Sequence, residues 1–106
     1  MKVKNVVRSM QKVVFNMPVN ETVEFLARLQ KLNRIQIPVE VRWRYKLEPG
    51  ELLKVLVQPV GGFSVSGEEF IARLLRDGRI TIPWEVVWAL GLDKPRYVLR
   101  VWLKPT

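Results

Sequence analysis

Two copies of one sequence unit make up most of the chain, and this repeat limits its folds more than any other feature. Residues 24–47 and 69–92 align at a constant offset of 45, and 13 of the 24 aligned positions are identical. After one inserted residue, 48–59 aligns with 94–105 at an offset of 46. A unit of about 40 residues buries too little surface to be stable alone. We therefore expect both copies to close around one core, related by a pseudo-twofold axis.

Each copy carries the signals of three strands and one short helix. In the first copy, apolar and polar residues alternate over 24–30, which predicts a half-buried strand. Leu32-Asn33 predicts a tight turn, because Asn tolerates positive φ. The short strand that follows ends at Pro38, which suits the first position of a helix of about two turns. A last strand is predicted at 52–57. The second copy repeats this order, with Asp77-Gly78 at its turn, and the first two strands of each copy are expected to form a hairpin.

Two further short strands are predicted outside the aligned segments. Residues 63–65 are expected to pair with 52–57, and 13–17 are expected to supply the corresponding strand for the second copy. The sequence thus predicts a single domain over 1–106. Its parts are a basic N-terminal strand or arm (1–23), repeat 1 (24–59) and repeat 2 (60–106).

The amino-acid composition limits the classes of function that this chain can have. The chain has 18 Lys plus Arg against 10 Asp plus Glu, a net charge of +8. This charge favours a polyanionic partner, nucleic acid before an acidic membrane surface. His and Cys are both absent, which excludes histidine acid–base catalysis, cysteine nucleophiles, disulfides and zinc sites. We predict no enzyme, no catalytic or metal-ligating residues, no cofactor and no small-molecule substrate.

Membrane insertion and export are not expected. The longest stretch without a charge, 55–67, has 13 residues and contains Pro59, Gly61 and Gly62. A spanning helix needs about 18 apolar residues. The N-terminal residues lack the continuous apolar core of a signal peptide. The predicted location is the cytoplasm.

The segments GRITIPWEVVWALGL and NRIQIPVEVRWRYKLEPGELLKVLV resemble the motif of the AbrB/SpoVT/MazE family. That motif joins a Gly-Arg turn, an Ile-Pro, a short Glu-containing helix, a Pro-Gly-acidic turn and a strand. The resemblance covers 24–59 and 69–105. It implies DNA binding by a swapped-hairpin barrel, one of the cradle-loop barrels, with both halves of a dimer in one chain. The unit also resembles half of a double-psi barrel, and the sequence leaves both topologies open. The predicted fold class is mainly β, a pseudo-twofold β-barrel with short helices.

The resemblance also places functional residues. It puts the family's turn arginine at Arg34 and Arg79 and its helix arginine at Arg42. The second copy has Val87 at the position of Arg42, so the two helices are not expected to act alike. Base readout is predicted for these arginines if a turn enters a groove.

Positive charge recurs at three positions in both copies. We expect these positions to form two equivalent clusters on one side of the barrel that neutralise DNA phosphates, assisted by two arginines of the first helix. The predicted nucleic-acid-binding residues are Arg28, Lys31, Arg34, Arg42, Arg44, Arg73, Arg76 and Arg79. The alternative is that exposed strands carry Arg and Lys for solubility and edge protection.

The second helix is apolar on nearly every side, with Trp84 and Trp88 four residues apart. One interpretation is that these tryptophans plug the end of the barrel. The other is that Trp84, Val87 and Trp88 form an interface with a homodimer mate or another protein. The leading functional prediction is an AbrB-like transcriptional regulator that binds duplex DNA. The alternative is a protein-interaction module, antitoxin-like or oligomerising, and a ligand-binding or enzymatic barrel is disfavoured.

Overall fold

The computed structural model describes residues 19–61, 66–92 and 97–105, and its elements follow the repeat. The first repeat contains β1 (Val23–Arg28), a 3-10 turn (Lys31–Asn33), β2 (Arg34–Gln36), α1 (Val39–Arg44) and β3 (Leu52–Pro59). The second contains β4 (Glu68–Arg73), β5 (Arg79–Thr81), α2 (Trp84–Ala89) and β6 (Val98–Lys104). The predicted order of strands and helices is confirmed. The strands predicted at 13–17 and 63–65, and residues 1–18 of the predicted arm, lie outside the described residues.

Local sequence accounts for both helix starts. Pro38 and Pro83 have φ of −56° and −58° with extended ψ, so each stands immediately before its helix. The predicted boundary is therefore one residue early. Glu40 and Glu85 occupy the first turns, where a carboxylate interacts favourably with the free backbone N–H groups.

The strands form two antiparallel sheets. One has four strands in the order β1-β6-β3-β4, and the other is a two-stranded ribbon of β2 and β5. Each ladder between these strands joins one repeat to the other. Leu56 pairs with Trp102 and Ile35 pairs with Ile80, and each pair consists of equivalent residues. The pseudo-twofold axis therefore passes through the centres of the sheet and the ribbon.

This exchange of strands corrects three predictions. β1 pairs with β6, and the segment after β1 meets β2 only at the isolated bridge between Gln30 and Arg34, so the predicted first hairpin is wrong. Residues 52–57 have β4 on one side, and β6 on the other takes up 54–59. The predicted partner 63–65 is therefore replaced by β4. The same argument applies to β6, where β1 occupies the place expected for 13–17. Pairing between repeats is favoured because it brings all the apolar strand faces into one core.

The core lies between the sheet and the ribbon. Ile35 and Ile80 of the ribbon are fully buried, as are the inward residues of the two central strands, Leu53, Val55, Val57, Leu99, Val101 and Leu103. The protein is thus mainly β with short helices, as predicted. Along the described residues β1 and β4 are the edges of an open sheet, so these strands do not close into a barrel.

Candidate nucleic-acid interface

The outer face of the ribbon is polar and carries two equivalent arginines. Alternation along each strand turns Ile35 and Ile80 inward, so Arg34, Gln36, Arg79 and Thr81 point away from the core. Arg34 pairs with Thr81, and Gln36 pairs with Arg79. Arg34 and Arg79 therefore lie diagonally across the ribbon. Gln36 and Thr81 were not among the predicted site residues, although the alternation around the two isoleucines places them on this face.

The turns that precede the ribbon strands lie at its two ends. The backbone N–H of Ile37 donates to the carbonyl of Gly78 at 2.9 Å. The N–H of Ile82 donates to the carbonyl of Asn33 at 2.7 Å. Each turn is thus held against the end of the opposite strand. Exposed Lys31 and exposed Arg76 consequently flank the ribbon on opposite ends. We call these flanking cations and the two ribbon arginines the basic ribbon: Lys31, Arg34, Arg76 and Arg79.

The two ribbon arginines have different partners. Arg79 forms an ion pair with Asp77, with 2.6 Å between Nη2 and Oδ2, and its Nη1 donates to Gln30 at 2.9 Å. The hydrogen bond from Arg79 lowers the pKa of the Asp77 carboxyl below its ordinary value. The residue equivalent to Asp77 is Leu32, so Arg34 has no matching carboxylate. Its Nε is buried and finds no acceptor among the described residues. Arg34 also lowers the pKa of the Asp77 carboxyl through its charge, but the ion pair with Asp77 is formed by Arg79.

Arg42 contacts the protein itself. Its Nε donates to the carbonyl of Ile37 at 3.0 Å, and its guanidinium lies against Gly78. A β-carbon at position 78 would be 2.5 Å from Cζ of Arg42. In the other repeat the equivalent residues are Val87 and Asn33, a smaller helix residue facing a larger turn residue. The guanidinium of Arg42 therefore lies against the turn at Gly78, and its predicted contact with a nucleic acid stays a prediction.

The contact between Gly78 and Arg42 gives a testable result. Gly78 has φ of +83°, which an L-residue adopts at a cost of roughly 1–2 kcal/mol. We expect Gly78→Ala to lower the free energy of unfolding by about 2 kcal/mol through this strain and the crowding of Arg42. Adding Arg42→Val should recover the crowding part but not the strain. Urea denaturation of both variants and of Arg42→Val alone measures this, and full additivity would contradict the contact.

Arg28 and Arg73 lie on the other side of the molecule. They are exposed at the ends of β1 and β4, on the sheet face that points away from the ribbon. Arg28 pairs with Val98 and Arg73 with Leu52, which places them at diagonal corners of the sheet. Nη1 of Arg73 also donates to the carbonyl of Gly50 at 2.7 Å. The expectation of two three-cation clusters on one side is therefore wrong, because the strand exchange carries β1 and β4 to opposite edges.

Arg44 is exposed on α1 and takes part in a small polar cluster. Its Nη2 lies 3.3 Å from Oε2 of Glu21, and its guanidinium sits 5.5 Å from the ring centre of Tyr45. The Tyr45 hydroxyl donates to the same carboxylate, and this hydrogen bond raises the pKa of Tyr45. The charge of Arg44 is thus partly offset, although the side chain stays accessible.

The helices expose three tryptophans. Trp84 and Trp88 of α2 are 68% and 79% exposed, so the prediction that they plug the end of a barrel is wrong. Val87, grouped with them as an interface residue, is half-buried and packs against the core. Trp43 of α1 is equivalent to Trp88 and is 74% exposed. The sequence analysis did not predict that Trp43 is exposed, although its alignment with Trp88 indicated an equivalent position on α1.

The described residues contain no group of three or more acidic side chains that would hold a metal ion. None of their helices has the length and apolar character needed to cross a bilayer. Neither observation points to a candidate site other than the basic ribbon.

The protein is similar to one solved structure, PHS018 from Pyrococcus horikoshii. The two share 27% sequence identity and superpose with a TM-score of 0.70, over 77% of this chain and 88% of that chain. No protein-family model and no curated protein matches the sequence. The similarity concerns architecture and brings no assigned activity with it.

Proposed function

We propose that this protein binds duplex DNA through the basic ribbon and acts as a transcriptional regulator of the AbrB type. The observation that carries the proposal is a two-stranded antiparallel ribbon whose outward side chains are Arg34, Gln36, Arg79 and Thr81. The major groove of B-DNA admits a two-stranded β-ribbon. Arginine and glutamine are the side chains that recognise guanine and adenine edges there.

The size of the ribbon supports this docking. From the turn at Asn33 to the turn at Gly78 it spans about four residue steps, or roughly 13 Å. The major groove is about 12 Å wide. With the ribbon across the groove, Lys31 and Arg76 would each face one phosphate backbone. Arg34 and Arg79, between them, would reach both the phosphates and the base edges of the groove.

The topology supports the family part of the proposal. Exchange of strands between the repeats agrees with one chain standing for a dimer of single units, while the described strands form an open sheet. A double-psi arrangement is the alternative topology.

We further propose that the protein works in the cytoplasm. We also propose that it acts without catalysis or cofactor, because its sequence offers no His or Cys and no nucleophile–base pair.

The proposal is tested by measuring duplex affinity over a salt series. If the four cations of the basic ribbon each neutralise one phosphate, log affinity should fall against log salt with a slope near about −3.6. Mixed-sequence duplex and fluorescence anisotropy suffice for this measurement. Absence of binding at the lowest salt, or affinity that does not change with salt, would refute the proposal.

A further inference from the structure

The two ends of the ribbon, equivalent by the pseudo-twofold axis, carry different chemistry. One end consists of the turn 76–78 with α1, and we call it the charged end. The other consists of the turn 31–33 with α2, and we call it the apolar end. From charged to apolar end the equivalent residues change from Asp77 to Leu32, from Val39 to Trp84, from Arg42 to Val87 and from Arg44 to Ala89.

The apolar end exposes three large side chains on two adjoining segments, the turn 31–33 and α2. Leu32 is 74% exposed, Trp84 68% and Trp88 79%. The hydrogen bond from Ile82 to Asn33 places the start of α2 directly beside the turn that contains Leu32. Trp84 and Trp88 are four residues apart and therefore share one face of α2. Clustered exposed apolar residues of this kind mark an interaction surface.

Leu32 provides an independent indication. Its φ of 63° lies in the left-handed region, which a branched apolar residue rarely adopts. The fold therefore holds a leucine in a strained conformation and leaves its side chain in solvent. A conformation of that kind, seen beside two exposed tryptophans, points to a binding role.

The distribution of charge favours a second copy of this chain as the partner of the apolar end. At the apolar end the described charged residues are Lys31 and Glu85, which cancel. The charged end has Arg42, Arg44 and Arg76 against Glu40 and Asp77. Two copies of a chain with net charge +8 repel each other least where the local charge is zero. A nucleic acid would gain no phosphate contact beyond Lys31 from the apolar end.

We propose that the apolar end is a homodimer interface, which packs α2 and Leu32 against the same residues of a second copy. An interface formed by one patch on itself closes at two copies, because the charged end offers no equivalent patch. Each exposed tryptophan side chain contributes about 150–250 Å². The area per copy is therefore below the ~800 Å² of a standard interface, which predicts a reversible dimer that forms as concentration rises.

The test is sedimentation of the DNA-free protein over a concentration series. We expect the average mass to shift from that of the monomer towards that of the dimer as the concentration rises, as suits an interface under ~800 Å² a side. Trp84→Ala with Trp88→Ala should remain monomeric throughout. Trp43→Ala is the matched control, because Trp43 is the equivalent of Trp88 and similarly exposed at 74%. It should dimerise like the wild type. Circular dichroism verifies that all the variants are folded.

Several outcomes would overturn the proposal. These are a wild type that stays monomeric, a double variant that still dimerises, species larger than a dimer, or equal loss of dimer in Trp43→Ala. Oligonucleotide affinity that falls in Trp84→Ala with Trp88→Ala but not in Trp43→Ala, for a wild type that stays monomeric, would instead assign the apolar end to nucleic acid. Because no DNA is present in the sedimentation experiment, its result is independent of the proposed function.

Discussion

Lys31→Ala combined with Arg76→Ala is expected to weaken duplex binding by about 50-fold in 0.1 M salt. Each lost phosphate contact removes roughly 0.9 from the salt slope, so the slope should change from near −3.6 to near −1.8. Both side chains are exposed and lie in turns at opposite ends of the ribbon, so the fold should not change. Anisotropy titrations at several salt concentrations measure both quantities.

The control for that experiment removes the same charge from the opposite face. Arg28→Ala with Arg73→Ala also deletes two equivalent, exposed arginines, but from the corners of the four-stranded sheet. If the basic ribbon is the DNA-binding surface, this variant should retain affinity within about threefold and keep its salt slope. Equal losses in the two double variants would mean that binding depends on net charge alone, and the ribbon would not be the interface.

Ile80→Ala is expected to lower the free energy of unfolding by about 3–4 kcal/mol. Ile80 is fully buried and pairs with Ile35 on the pseudo-twofold axis, between the ribbon and the sheet. Truncation there leaves a cavity in contact with both repeats, and strands on every side limit its collapse. Urea denaturation followed by circular dichroism measures the loss.

The matched control is Ile71→Ala, which removes the same atoms from an exposed site. Ile71 lies on the outer face of β4 and is 62% exposed, so we expect a loss of less than about 1 kcal/mol. Similar losses in the two variants would contradict the assignment of the core to the space between the ribbon and the sheet.

The sequence was sufficient to predict the strands and helices, but it was not sufficient to predict which strands pair. Alternation and the Ile-Pro junctions are local signals, so β2, β5 and both helix starts could be placed within a residue or two. Strand pairing is not local. An apolar face such as that of β1 is buried equally well beside β2 or beside β6. The sequence therefore favoured a hairpin that the shared core replaces with pairing between repeats.

The candidate site likewise contains features that local sequence patterns predict and features that depend on contacts between the repeats. The outward arginines of the ribbon follow from the alternation around Ile35 and Ile80. The position of Arg42 does not, because it depends on the space that Gly78 leaves in the other repeat. Exposure of Trp84 and Trp88 was equally undecided by pattern, since an apolar helix is consistent with burial and with an interface alike.

Pairing between the repeats also governs the order in which the protein can be assembled on the ribosome. Val23 pairs with Leu103 and Ile35 with Ile80, so β1 and β2 emerge long before their partners are synthesised. β3 and β4 are the neighbouring strands that can pair first. The nascent chain therefore carries β2 unpaired until β5 has emerged and β1 unpaired until β6 has emerged, and loop closure over this distance makes folding slow. β1 therefore stays exposed to other chains until β6, the strand that pairs with it, has left the ribosome.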